Sequence, residues 1–195
     1  SVESFSDAAI GTSLVVSNPT ESKVVVDRSG SLRSITSDGL HTSQIYVHDG
    51  KLTLFSDKNN AFSTADIPTE LDGALLFALS EFQVETPLLD LLLVNSLDHF
   101  VSQIEAVVYL GDKRPIRGVD CHHIVIRGED VDMQLFVEEG DNPVPRMTVM
   151  TLKKDLGRPR HEVFMDWSET SRPRASEFEF DPPEGAMQIE FIEHL

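Results

Sequence analysis

Cys121, His122 and His123 form the densest run of potential metal ligands in the chain, and Asp130 and Asp132 follow one short turn later. Zinc takes thiolate, imidazole and carboxylate ligands, but three or four must converge on it. The run lies in a stretch that reads as a strand, where neighbouring side chains point to opposite faces. Only Cys121 and His123 then share a face, and Asp130 or Asp132 on the next strand would have to complete the set. A buried cysteine beside a hydrogen-bonded histidine satisfies the same pattern without metal. The expectation is therefore no metal and no cofactor.

Nucleophilic catalysis has still less support. The chain has no G-x-S-x-G elbow, and Cys121 sits inside a strand, where its reactivity is low unless a cation lowers its pKa. Carboxylate pairs such as Glu138-Glu139 arise by chance among 33 acidic residues, and nothing marks the cleft in which one of them would be tuned. Phosphate-cradling glycine loops are absent from the sequence. Arg114, Arg117, Arg158, Arg160, Arg172 and Arg174 fall in turn-like segments, as solvated loop charges do. No catalytic residue is assigned, and an enzyme is not expected.

The elements that would position these residues follow from periodicity. Residues 13–16, 23–26, 32–35, 44–47 and 51–55 are β-branched runs separated by turn chemistry, with a further strand near 61–65. Asp49-Gly50 is a type I′ hairpin signal, since both central residues need φ > 0. The period then changes. Leu71, Leu75, Leu79 and Phe82 form a helical stripe, with Thr69 as the expected N-cap. Thr86-Pro87 starts a second helix, Leu88 to Val94, apolar on nearly every face, and Ser96 caps a short turn to Phe100. Strands return at 105–110, 121–127, 131–138, 146–153, 161–167 and 187–192.

The hairpin at Gly128-Glu129 has a register that the pattern suggests. Pairing Arg127 with Asp130 places Ile126 opposite Val131, Ile124 opposite Met133 and His122 opposite Leu135. Ile124, Ile126, Val131, Met133, Leu135 and Val137 then share one face, and Arg127, Asp130, Asp132, His123 and Gln134 the other. Strands, then helices, then strands joined by hairpins indicate α+β with a long curved antiparallel sheet.

Lys+Arg is 16 and Asp+Glu 33, a formal charge of −17. That balance excludes nucleic acid, which needs clustered cations to displace counterions. No run approaches the ~20 apolar residues of a membrane-spanning helix, so the chain is not expected to be an integral membrane protein. The single cysteine forbids an internal disulfide.

Three segments in order resemble a family of predicted periplasmic bacterial proteins of unknown function: residues 118–123, 130–138 and Pro145-Arg146. Asp166-Trp167 and the closing run Phe178-Glu179-Phe180-Asp181-Pro182-Pro183 are similar to the same family, as are residues 46–55 and 87–92. The family is grouped with the lipoprotein carriers LolA and LolB and with the N-terminal domain of RseB. The resemblance implies a single LolA-like domain over residues 1–195: an unclosed β-barrel with short apolar helices plugging its concave face. The family's N-terminal helix is not visible before Leu14, and Met133 stands where the family commonly has tryptophan. It also implies a periplasmic location, with a signal peptide removed. The expected role is non-catalytic binding of a lipid, acyl chain or lipoprotein, in a cavity lined by Leu75, Leu79, Leu88, Leu92, Ile124, Met133, Leu135 and Trp167. The alternative is a protein-interaction or sensor domain whose partner is an envelope protein.

Overall fold

The structure, a computed structural model, describes residues 1–10, 14–84, 89–94, 101–141, 143–155, 158–168 and 173–191. The chain is α+β, mostly open antiparallel sheet, and it divides into two compact units. One comprises Ser1–Glu21 and Leu97–Ser168, the other Ser22–Ser96 and Glu169–Leu195.

In the first unit β1 (Val2–Ile10) is followed, after the second unit's elements, by β7 (Ile104–Ile116), β8 (Val119–Gly128), β9 (Val131–Glu138), β10 (Pro145–Leu152) and β11 (Arg160–Met165). They lie side by side in the order β1-β11-β10-β9-β8-β7. The strand β1 has no counterpart in the sequence reading, because Val2, Phe5 and Ile10 show no period of two. The hairpin register also differs from expectation. Ile126 pairs with Met133, Ile124 with Leu135 and His122 with Val137, two residues on from the predicted partners. β8 continues to Gly128 and β9 begins at Val131, so the two-residue turn is Glu129-Asp130 instead of Gly128-Glu129, and moving the turn by one residue moves every partner by two. A two-residue slip keeps every side chain on its face, so the predicted sorting of faces survives the correction.

The hairpin between β7 and β8 turns at Arg117-Gly118, with φ of 48° and 86°. Register breaks in β7 at Ile104/Ala106, Tyr109/Gly111 and Gly111/Arg114 bend it. Its tip folds over the face carrying Cys121, Phe136 and Val149. There Ile116 and Val119 cover a small buried cluster, and Arg117 reaches Glu3 and the Phe164 ring.

The second unit contains β3 (Ser31–Ser37), β4 (Thr42–His48), β5 (Lys51–Ser56) and β6 (Ala61–Asp66), joined by hairpins, with two helices, α1 (Leu71–Phe82) and α2 (Leu89–Leu92). The separate runs expected at 13–16 and 23–26 are one 14-residue strand, β2 (Leu14–Asp27), whose last six residues belong to this unit. Asp49-Gly50 makes the expected turn, both residues having positive φ.

Helix α1 lays Leu71, Ala74, Leu75 and Ala78 on Leu32, Val47 and Leu52 of the sheet. Its N-cap is Glu70, not Thr69. The Thr69 carbonyl is packed so tightly against Gly30 that a Cβ there would stand 2.6 Å away, which leaves the chain extended one residue further. Asp72, in the first turn of α1, accepts the Val94 N–H at 2.8 Å. Gln83 ends the helix at φ 54°, with its own N–H on Leu79 and that of Val84 on Ala78, a Schellman arrangement. The long all-apolar helix expected after it is shorter. Of the expected span, the described helix α2 runs Leu89–Leu92, and Val94 is 70% exposed. The Thr86-Pro87 start and the turn at 96–100 lie outside the described residues.

The other face of this sheet is covered by the chain's last segment. Phe180 stands 5.4, 5.7 and 5.2 Å from the rings of Tyr46, Phe55 and Phe62. Phe178 stacks on His48 at 6.1 Å, beside a 3₁₀ turn at Ala175–Glu177. The segment includes β12 (Met187–Gln188), which pairs parallel with β6, whereas the other described pairings are antiparallel. The unit is thus three layers: helices, sheet and an aromatic strap.

Candidate functional site

Strand alternation sorts the first unit's side chains into two different surfaces. On one face Cys121 and His123 stand together, as their i, i+2 spacing requires, but each has an internal partner. His123 Nε2 lies 3.0 Å from Gln134 Oε1, and its ring stacks on Phe136 at 4.2 Å. The Cys121 thiol donates to the Val119 carbonyl at 3.4 Å. Burial pushes the thiol pKa up, and the Glu138 carboxylate opposite it adds to that, so no reactive thiolate is favoured. Asp132 faces Lys153 at 3.4 Å. Among the described residues no three of these ligand types converge. The predicted sorting counted this face as polar. Phe136, Val149 and Met147 instead make it the unit's buried cluster, with His123 and Gln134 satisfied inside it.

Around the hairpin tip an ion network joins three strands, the β7–β8 turn and the residue after β11. Glu3 pairs with Arg117 at 2.6 Å, Arg117 with Asp166 at 3.6 Å, Asp166 with Arg146 at 3.8 Å, and Arg146 with Glu138 at 2.6 Å. Arg117 is therefore engaged and not a solvated loop charge. The Trp167 indole N–H donates to the Pro145 carbonyl at 2.6 Å, and the residue is 44% exposed.

The opposite face carries two apolar rows that run straight across the strands. The first is Tyr109, Ile124, Leu135, Thr148 and Val163, and the second Val107, Ile126, Met133, Met150 and His161. The rows close on polar pairs at β1, where Ser6 Oγ lies 2.9 Å from His161 Nδ1 and Ser4 Oγ 2.6 Å from Thr20 Oγ1. Most of the central residues are half-buried: Ile124, Met133, Leu135, Met150 and Val163. Tyr109 and Val107 at the outer strand are more than half exposed, and Tyr109 Oη meets His122 Nδ1 at 2.9 Å. A methionine-rich, incompletely sealed apolar face suits contact with an irregular apolar surface.

The predicted lining residues divide between the units. Ile124, Met133 and Leu135 meet on this face, whereas Trp167 lies two residues beyond the end of β11. Leu75 and Leu92 are buried in the second unit's core, Leu79 is half-buried on α1, and Leu88 lies outside the described residues. Sequence reasoning missed Met150 and Val163, which the β10 and β11 registers add to the same rows. Their alternation with Val149 and Phe164 was the available signal, obscured because both faces of these strands are apolar.

Among the described residues no helix is long and apolar enough to cross a membrane. The sequence matches no curated protein. Residues 4–192 match the family model described as "Predicted periplasmic protein (DUF2092)", and the chain belongs to that periplasmic family.

Proposed function

We propose that this periplasmic chain is a non-catalytic binding protein for a lipid, an acyl chain or the lipid-modified end of a lipoprotein. The observation that carries the reading is the pair of apolar rows across β7 to β11, half-buried and centred on Met133, Leu135, Ile124 and Met150. Each methylene buried there contributes about 0.8 kcal/mol, so ten methylenes of an acyl chain supply roughly 8 kcal/mol to offset the cost of association. The sequence resemblance to a family grouped with LolA and LolB points to the same class of ligand, as an analogy. Native mass spectrometry of gently purified protein tests it. Bound lipid mass at defined stoichiometry is expected, and protein that carries no lipid at any added concentration removes the reading.

A second reading rests on β7, the outermost strand of its sheet. Val107, Val108, Tyr109 and Leu110 are consecutive there and each more than half exposed. An extended segment of an envelope protein adding to this edge would extend the sheet by a strand. Its test is a stoichiometric protein partner in an envelope pull-down that Val108→Lys abolishes.

A further inference from the structure

Met133 and Met150 are direct cross-strand partners on β9 and β10. Side chains so paired have Cβ atoms about 5 Å apart, which puts the two flexible thioethers within reach of each other. Both lie on the apolar face and both are partly exposed. Ile126 stands opposite Met133 on β8, and the next pair on that face is Ile124 with Leu135. On β11 the partner of Met150 is His161. The other three methionines are placed differently. Met147 packs on the opposite face against the Cys121 cluster, and Met165 is only 2% exposed. Met187 is 62% exposed but belongs to β12 in the second unit.

Leucine and isoleucine would make the same face as apolar, and they are inert to mild oxidants. A thioether is not: it accepts one oxygen atom from a two-electron oxidant such as hypochlorous acid. The sulfur lone pair attacks the hydroxyl oxygen, an S–O bond forms as the O–Cl bond breaks, chloride leaves, and the proton goes to water. Sulfur is oxidised by two electrons and chlorine reduced by two. We propose that the Met133–Met150 pair is an oxidation site, and that sulfoxide formation there expels the apolar ligand. The second half rests on the binding role given to this face above. Each sulfoxide oxygen is a strong acceptor at the centre of the rows, and an acyl chain packed on it offers no donor. The step reverses when two thiols of a sulfoxide reductase system supply two electrons and two protons, forming a disulfide and releasing the oxygen as water.

The test treats the delipidated full chain with graded hypochlorous acid, maps oxidised methionines by peptide mass spectrometry, and titrates each sample with a fluorescent fatty acid. Met133 and Met150 should gain oxygen well before Met165, and affinity should fall at least about tenfold in step with them, the scale of burying an unpaired polar atom. Methionine sulfoxide reductases with dithiothreitol should restore binding, whereas dithiothreitol alone should not. Met187→Leu should lose affinity on treatment as the wild type does. The double variant Met133→Leu/Met150→Leu should bind alike before and after treatment, whatever its starting affinity. Met165 oxidised as fast as the pair, unchanged affinity once both are sulfoxides, or a loss that the reductases do not reverse would each overturn the proposal. Untreated wild-type protein that takes no fatty acid would remove the binding reading itself, and the ligand release with it, whatever order of oxidation the mass map shows.

Discussion

Arg117 grips Glu3 with both prongs of its guanidinium, Nη1 3.1 Å from Oε1 and Nη2 2.6 Å from Oε2, across 114 residues of chain. The guanidinium also lies 4.4 Å from the centre of the Phe164 ring. This contact pins the tip of the β7–β8 hairpin to β1 and β11, which is what keeps Ile116 and Val119 over Cys121 and Phe136.

The grip has a pH signature. The Arg117 hydrogen bond holds the Glu3 carboxyl below its ordinary value of 4.5. The backbone N–H groups of His41 and Leu40 lower Asp38 in the same way, and Lys51 lowers Asp66. A lowered carboxylate contributes stability that is complete above its ordinary value and lost as pH falls through the folded one. Urea midpoints should therefore hold near neutral pH and fall below pH 4.5. Glu3→Gln should start lower at neutral pH and fall less steeply in acid; a curve parallel to the wild type would refute the assignment.

Leu75 and Leu79 separate a packed core from a ligand-filled one. Leu75 is 1% exposed among Leu32, Leu52 and Val47, whereas Leu79 is half-buried. Leu75→Ala should cost about 3 kcal/mol in urea denaturation and Leu79→Ala roughly 1 kcal/mol. Equal, small losses would mean that α1 does not pack on this sheet as described.

Gly30 combines a φ of +130° with a Cβ position 2.6 Å from the Thr69 carbonyl. Gly39 has φ +86° and no heavy atom within 4 Å of its Cβ position. Alanine at 30 should cost at least about 2 kcal/mol, and alanine at 39 about 1 kcal/mol, since only the first adds a backbone clash to the strain. Thermal denaturation of the two variants compares them directly.

The strap should be a stabilising layer of the second unit. Phe180 meets three rings, and Phe178 is 3% exposed. Phe178→Ala should cost about 3 kcal/mol and Phe180→Ala, only half-buried, about 2 kcal/mol, with loss of near-ultraviolet circular dichroism from Tyr46. Unchanged denaturation midpoints would show that the closing segment is not docked.

Much of this was legible in the residues. The β8–β9 alternation of Ile124, Ile126, Met133 and Leu135 identifies the apolar face even with the register two residues out, because a shift of two preserves sidedness. Asp49-Gly50 is explicit turn chemistry. The failures have physical causes. Leu71, Leu75 and Leu79 signal α1, but Thr69 loses the N-cap to a tertiary contact with Gly30 that no local pattern carries. The apolar run after Pro87 predicts helix as far as Val94, whereas α2 ends at Leu92 and Val94 is exposed. Ser31 and His48 become neighbours only through the β3–β4 register, so their pairing has no local motif. Phe178 and Phe180 carry the family resemblance, yet their role as a strap appears only once β6 offers its edge to Met187.

The central claim is that the Met133 face takes an apolar ligand, and the most direct measurement is titration of delipidated protein with a fluorescent fatty acid. Saturable binding is predicted for the wild type, lost in Met133→Asp and Leu135→Asp while far-ultraviolet circular dichroism stays the same. No saturable binding in the wild type, or equal binding in the folded aspartate variants, would contradict it.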